Sequence, residues 1–302
     1  LNELQTTRIG LPTGVTLKVV FGGGGEPIVF LHGFPESHRT WRHQLHNLVR
    51  DFHVIAPDQR GFAGSDKPEG VEAYKAERIV EDLIALADAL GIGRFTLVGH
   101  DWGGAASWLA ALRHPSRIKR LVIVNAPHPL VFQRSLIEDE AQREASQYIT
   151  AFRTPGVEIG IKAMGYETFL EKSFGPHVDL RLISETEREA YVHDWSQPGA
   201  LTAMLNWYRA SNIVVPEPGE KAHHPIWTRA PFPRLKMPVL VVWGLKDKAL
   251  LPVQLEGLDK LVQDLRIVVE PDAGHFIPWE KPEAVTIAIR DFIAATPLEG
   301  AE

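Results

Sequence analysis

The sequence predicts an α/β protein: a mostly parallel β-sheet covered by helices on both faces, with an all-helical segment inserted into it. Three observations carry this. Short β-branched runs alternate with stretches of helical period along most of the chain. Between about Pro129 and Pro233 the alternation stops and only helical periodicity continues. In the first half, the apolar run Phe95-Thr96-Leu97-Val98 passes through a glycine-flanked turn into a small-residue run, Gly104-Ala105-Ala106-Ser107.

Taken in order, residues 16–21, 28–31, 54–56, 95–98, 121–124, 239–243 and 267–269 read as buried strands. Each is short, β-branched and bounded by Gly, Pro or charge. Residues 78–90 carry Ile79, Leu83, Leu86 and Leu90 at helical spacing and stop at Gly91. Residues 282–295 do the same near the C-terminus, with Pro282 in the first turn. Gly22-Gly23-Gly24-Gly25 is no phosphate loop, because it leads into a strand and lacks a Gly-Lys-Ser/Thr ending. A hairpin turn between two strands is expected there. The inserted segment is rich in aromatics, Tyr148, Phe152, Trp207 and Tyr208 among them, and ends in a proline-dense run over 225–233. Insertions of this length usually lie over a site. The expected division is a core of 1–128 and 234–302 with a helical cap over 129–233.

Composition narrows the function. The chain has 302 residues, 44% of them hydrophobic and 23% charged, which suits one large globular domain with an insertion. Its 32 basic and 38 acidic residues give a net charge of −6 with no basic stripe, so nucleic acid is not an expected partner. The absence of cysteine removes disulfides, thiolate metal sites and cysteine nucleophiles. No apolar run approaches the ~20 residues of a membrane helix, and the N-terminus lacks a signal-peptide pattern. A cytoplasmic location is the simplest expectation. The histidines show no third partner at metal-ligand spacing, and no metal site is expected.

Gly99-His100-Asp101-Trp102-Gly103 stands between the strand-like and the helix-like run. That is the setting of a nucleophile elbow, G-x-S-x-G, with aspartate in place of serine. The swap changes the chemistry. A carboxylate is already ionised at neutral pH and attacks an alkyl carbon, leaving an ester on the enzyme. The plainer use of Asp101 is as a helix N-cap, but capping does not ask for glycine on both sides. An ester on Asp101 needs a base to release it and an acid to orient that base. Asp247 follows the strand-like run 239–243 and a turn, and His275 follows the run 267–269 in a glycine-containing loop. Their order in the chain, nucleophile, acid, histidine, fits this kind of elbow. The rival acid position, after 121–124, holds Asn125, whose amide cannot stabilise an imidazolium as a carboxylate does. His32-Gly33-Phe34-Pro35 follows the run 28–31, so the N–H groups of Phe34 and Trp102 can form an oxyanion hole, with a cis bond expected before Pro35.

With these residues in place, the chain resembles the α/β-hydrolase-fold epoxide hydrolases from about Gly25 to the C-terminal helix. The resemblance rests on His32-Gly33-Phe34-Pro35-Glu36-Ser37, Asp58-Gln59-Arg60-Gly61-Phe62-Ala63-Gly64-Ser65-Asp66, Gly99–Gly104 and Gly274-His275-Phe276. It implies an eight-stranded sheet, conversion of an epoxide and water to a vicinal diol, and no cofactor. It also implies two cap tyrosines that bind the epoxide oxygen and donate a proton to it. Gln147-Tyr148-Ile149-Thr150-Ala151-Phe152 and Leu205-Asn206-Trp207-Tyr208-Arg209 resemble the two tyrosine segments, which puts those roles on Tyr148 and Tyr208. Phe34, Trp102, Phe152, Trp207 and Phe276 would line an apolar substrate pocket. Dehalogenases share the elbow and base and remain the alternative. Two departures count against them: Phe34 stands where haloalkane dehalogenases usually carry Asn or Glu, and Trp102 where fluoroacetate-type dehalogenases usually carry Arg. A non-catalytic receptor is the third reading, opposed by the full set of Asp101, Asp247 and His275.

Overall fold

The computed structural model of the protein describes residues 3–297. One eight-stranded sheet organises it: β1 (Gln5–Gly10), β2 (Thr16–Gly22), β3 (Pro27–Leu31), β4 (His53–Pro57), β5 (Phe95–His100), β6 (Ile118–Val124), β7 (Leu235–Gly244) and β8 (Val262–Glu270). Their spatial order is β1-β2-β4-β3-β5-β6-β7-β8. The first two pairings are antiparallel and all the others parallel.

The period-two burial of the inner strands builds two apolar layers. In β5, Phe95 and Leu97 face one layer and Val98 the other; in β6, Leu121 and Ile123 oppose Val122 and Val124; in β7, Val239, Val241 and Trp243 oppose Leu240 and Val242. Helices α1 (Arg42–Leu48), α2 (Ala76–Ala89) and α3 (Trp102–Arg113) follow β3, β4 and β5. Ile79, Leu83 and Leu86 of α2 and Trp108 of α3 pack into the first layer, and Leu45 and Leu48 of α1 into the second. Between β6 and β7 the described chain holds no strand. It forms α4 (Pro129–Glu138), α5 (Glu140–Ala145), α6 (Gln147–Arg153), α7 (Val157–Met164), α8 (Tyr166–Phe174), α9 (Glu185–Ser196) and α10 (Ala200–Arg209). After β8 come α11 (Ile277–Glu280) and α12 (Pro282–Ala294), whose Val285, Ile289 and Phe292 close the second layer. No helix among the described residues is long and apolar enough to cross a membrane.

The seven expected strands and both expected helices are present, with small shifts at their ends. Three points differ. The residues Gln5-Thr6-Thr7-Arg8-Ile9-Gly10 form an eighth strand, β1, which has a single neighbour and is exposed along most of its length, so it carries no apolar alternation. Gly22–Gly25 is not a hairpin turn, because β4 lies between β2 and β3 and pairs with both. Ile267, Val268 and Val269 are not buried but 42%, 37% and 43% exposed, since β8 is an edge strand.

Candidate active site

The elbow follows from close packing at the end of β5. A Cβ on Gly99 would lie 2.3 Å from Ser107 Oγ, and one on Gly103 2.3 Å from the carbonyl oxygen of Leu31, so any side chain there would force β5, α3 and β3 apart. Asp101, between them, takes the left-handed region with φ +51°, which is rare for a non-glycine residue. It stands at the N-terminal end of α3, yet its side chain does not cap the helix. The carboxylate turns towards β3 instead. Oδ1 accepts the N–H of Phe34 at 2.7 Å, and the N–H of Trp102 lies beside the carboxylate and favours its charged form. The peptide bond between Phe34 and Pro35 is cis.

Asp247 and His275 come from the ends of the neighbouring strands β7 and β8. His275 Nδ1 bonds Asp247 Oδ2 at 2.7 Å, and its Nε2 lies 3.6 Å from Asp101 Oδ2. A carbonyl only accepts, so His100 Nε2 donates to the carbonyl of His275 at 2.7 Å. The carboxylate of Glu280 accepts the N–H of Gly274 at 2.9 Å. These two bonds hold the histidine loop from both sides. Asp247 is fully bonded: Oδ1 accepts the N–H groups of Ala249 and Leu250, and Oδ2 accepts Asn125 Nδ2 at 2.8 Å as well as the imidazole.

Electrostatics follows from this burial. Desolvation opposes a charge on His275, but Asp247 and Asp101 outweigh it and raise the imidazole to about 9. Burial likewise works against a charge on Asp247, and the imidazole with its hydrogen bonds overcomes it, so this carboxyl falls below its ordinary range. Burial raises Asp101, checked by His275 and the two backbone N–H groups. Burial and the charge of Asp101 raise Tyr148 and Tyr208 far above 10, so both keep their protons.

Two cavities border the site. One of about 440 Å³ is lined by Phe34, Phe152 and Phe276, and one of about 620 Å³ by Trp102 and Trp207. Asp101, Tyr148 and Tyr208 lie in the walls of both, and His275 in the wall of the smaller. Every expected site residue except Asp247, which stands behind His275, therefore reaches a cavity. The tyrosines, from α6 and α10, meet edge to face with ring centroids 6.1 Å apart. Among the described residues no cluster of three or more His, Asp or Glu side chains could hold a metal ion.

Two neighbours escaped the sequence reading. Asn125, with φ +39°, accepts the N–H of Gly244 at 2.7 Å and donates to Asp247, tying β6 to the acid loop. Its place after a strand was visible, but its role as a partner of Asp247 was not. His177, after α8, lies 5.8 Å ring to ring from His275. No spacing in the sequence links the two.

Comparison with known proteins identifies the fold and the family. Residues 26–282 match the family described as alpha/beta hydrolase fold. The AB hydrolase superfamily protein YfhM of Bacillus subtilis is 34% identical over 93% of this chain and 95% of its own length. Epoxide hydrolase 3 of Xenopus tropicalis is 34% identical over 88% of this chain and 71% of its own. A solved structure described among novel epoxide hydrolases from metagenomes of hot environments is 45% identical, with a TM-score of 0.89 over 96% of this chain and 99% of that one. The chain has the α/β-hydrolase fold and belongs to its epoxide hydrolase family.

Proposed function

We propose that the protein hydrolyses epoxides to vicinal diols through a covalent ester on Asp101, in a site roofed by a helical cap over 129–233. The observation that carries this reading is the division of labour on one carboxylate: Oδ1 accepts the backbone N–H of Phe34, while Oδ2 lies 3.6 Å from His275 Nε2. Tyr148 and Tyr208 hold the epoxide oxygen. Asp101 Oδ2 bonds to a ring carbon, the ring C–O bond breaks, and a tyrosine passes its proton to the departing oxygen. The positioned pair replaces a chance encounter.

The ester carbonyl oxygen is then Oδ1, already bonded to the N–H of Phe34, with the N–H of Trp102 as the second donor of the oxyanion hole. Alkylation also removes the negative charge of Asp101, one of the groups that raise His275. The imidazole gives up its proton more readily and takes one from water, which attacks the ester carbon. Negative charge develops on Oδ1, where the two N–H groups stabilise it. The acyl C–O bond breaks, Oδ2 leaves in the diol with one proton of the water, the proton taken up by His275 goes back to the tyrosinate, and the water oxygen restores the carboxylate. Asp247 keeps the imidazole oriented. Phe34, Trp102, Phe152, Trp207 and Phe276 supply the apolar walls.

One turnover of excess enzyme with styrene oxide in heavy-oxygen water tests this. The first diol should carry only ordinary oxygen, because its new hydroxyl comes from Asp101. A heavy oxygen in that diol would show direct attack by water and overturn the scheme. Halide release from 1-bromobutane without diol formation would favour a dehalogenase.

A further inference from the structure

The last turn of α6 grips Tyr208 at two points. Phe152 lies against its ring, 5.0 Å between centroids. Arg153, the next residue, holds its backbone: Nε donates to the carbonyl of Tyr208 at 2.9 Å. The same guanidinium donates through Nη1 to the carbonyl of Ile213 at 2.8 Å, and through Nη2 to the carbonyl and hydroxyl of Ser211 at 3.2 and 2.6 Å. Ser211 Oγ donates in turn to the carbonyl of Tyr208 at 2.9 Å.

These carbonyls depend on side chains. The last turn of a helix leaves its carbonyls without partners inside the helix. Tyr208 is in the last turn of α10, and residues 211–217 form neither helix nor strand. Arg153 supplies the missing donors, and its positive charge meets the negative end of α10. Burial works against that charge, and no carboxylate among the described residues offsets it. Its neighbour in space differs: Arg209, also in the last turn of α10, pairs with Glu158 of α7 at 2.6 Å. Arg153 thus spends its whole fork on the backbone that carries Tyr208, from the helix that carries Tyr148. It lines neither cavity.

We infer that Arg153 is a positioning residue for ring opening: by binding the carbonyls of Tyr208, Ser211 and Ile213 it fixes where the Tyr208 hydroxyl stands beside that of Tyr148. This rests on the epoxide hydrolase reading above, with its two proton-donating tyrosines, and deepens it. The rings around Tyr208 tolerate a range of offsets, so the backbone grip sets the distance.

The test follows formation and breakdown of the ester on Asp101 separately, by rapid quench and mass spectrometry with excess enzyme and styrene oxide. Arg153→Met should slow ester formation about fivefold, less than loss of the Tyr208 hydroxyl itself, and leave ester breakdown unchanged. Added to Tyr208→Phe, it should slow ester formation further by less than about twofold, because no hydroxyl is left to place. Arg153→Lys keeps the charge without the fork and should restore part of the rate; if Arg153→Met does not fold, Arg153→Lys carries the test, with a loss of about twofold confined to ester formation and absent in Tyr208→Phe. Unchanged ester formation would overturn the proposal. So would equal slowing of both steps, or the same loss with and without the Tyr208 hydroxyl, since general damage to the insertion would give either. No ester on Asp101 in the wild-type protein, or full-rate ester formation in Tyr208→Phe, would bring down the underlying reading.

Discussion

Asp101 and Tyr208 border the same space, but the sheet and the helical insertion hold them by different means. Asp101 is fixed by close backbone contacts. Its elbow leaves no room for a side chain on Gly99 or Gly103, and a Cβ on Gly33 would lie 2.2 Å from its Oδ1. Tyr208 is held by rings: Phe34 and Trp102 meet it edge on at centroid distances of 5.1 Å, and Phe152 lies at 5.0 Å. Edge-to-face contacts tolerate a range of distances that a backbone collision does not. The backbone contacts on the sheet side therefore fix Asp101 more tightly than the rings on the helical side fix Tyr208.

The largest separation between the two regions should appear when each loses its proton-handling group. His275→Gln should leave ring opening intact and slow release of the ester by about 10⁴-fold. Mass spectrometry after epoxide exposure should then find the adduct on the Asp101 peptide. An unmodified peptide would break the assignment of the second step to the sheet side.

Replacing Tyr148 and Tyr208 together with Phe should act on the other step. Diol formation should fall roughly 10³-fold with no ester building up, and each single change should cost about tenfold. Near wild-type turnover in the double variant would remove the helical side from the chemistry.

A smaller effect lies in the pH dependence. In the resting protein His275 is raised to about 9, and Asp101 is one cause. In the ester that charge is gone, so the base form should appear at lower pH than in the free protein. Ester breakdown, followed by rapid mixing, should rise with pH and level off below pH 9. A rise that continues through pH 9 would mean that Asp101 does not set the basicity of His275.

The last contrast is one of packing, and its arm in the insertion is the smallest effect expected. Gly103→Ala drives a Cβ into the carbonyl of Leu31 and should lower thermal stability severely. Gly160, inside α7 of the insertion, has nothing within 4 Å of an added Cβ. Gly160→Ala should raise stability by about 0.5–1 kcal/mol through helix propensity. Opposite signs are expected in thermal melts, and two destabilised variants would erase the contrast.

Much of this was legible in the chain because its signals are local. A nucleophile between two glycines, strands of β-branched residues, and acid and base in order after strands each need only a few neighbouring positions to recognise. What escaped depends on distant partners. β1 is polar because an exposed edge asks for no apolar face. The position of β4 between β2 and β3 is a matter of pairing, which an unbroken Gly22–Gly25 turn cannot reveal. Ile267-Val268-Val269 has the composition of an inner strand and the location of an outer one.

Local pattern thus sufficed to single out the candidate groups of the sheet, a carboxylate at a tight turn and an imidazole with its acid, whereas the two tyrosines came from the family resemblance alone. Folding alone decided that Asn125 meets Asp247, that His177 lies beside His275, and that Asp101 stands in the walls of two cavities. Residue type and short-range order are written along the chain, whereas distance and shared cavities arise only when segments a hundred residues apart are packed against one sheet.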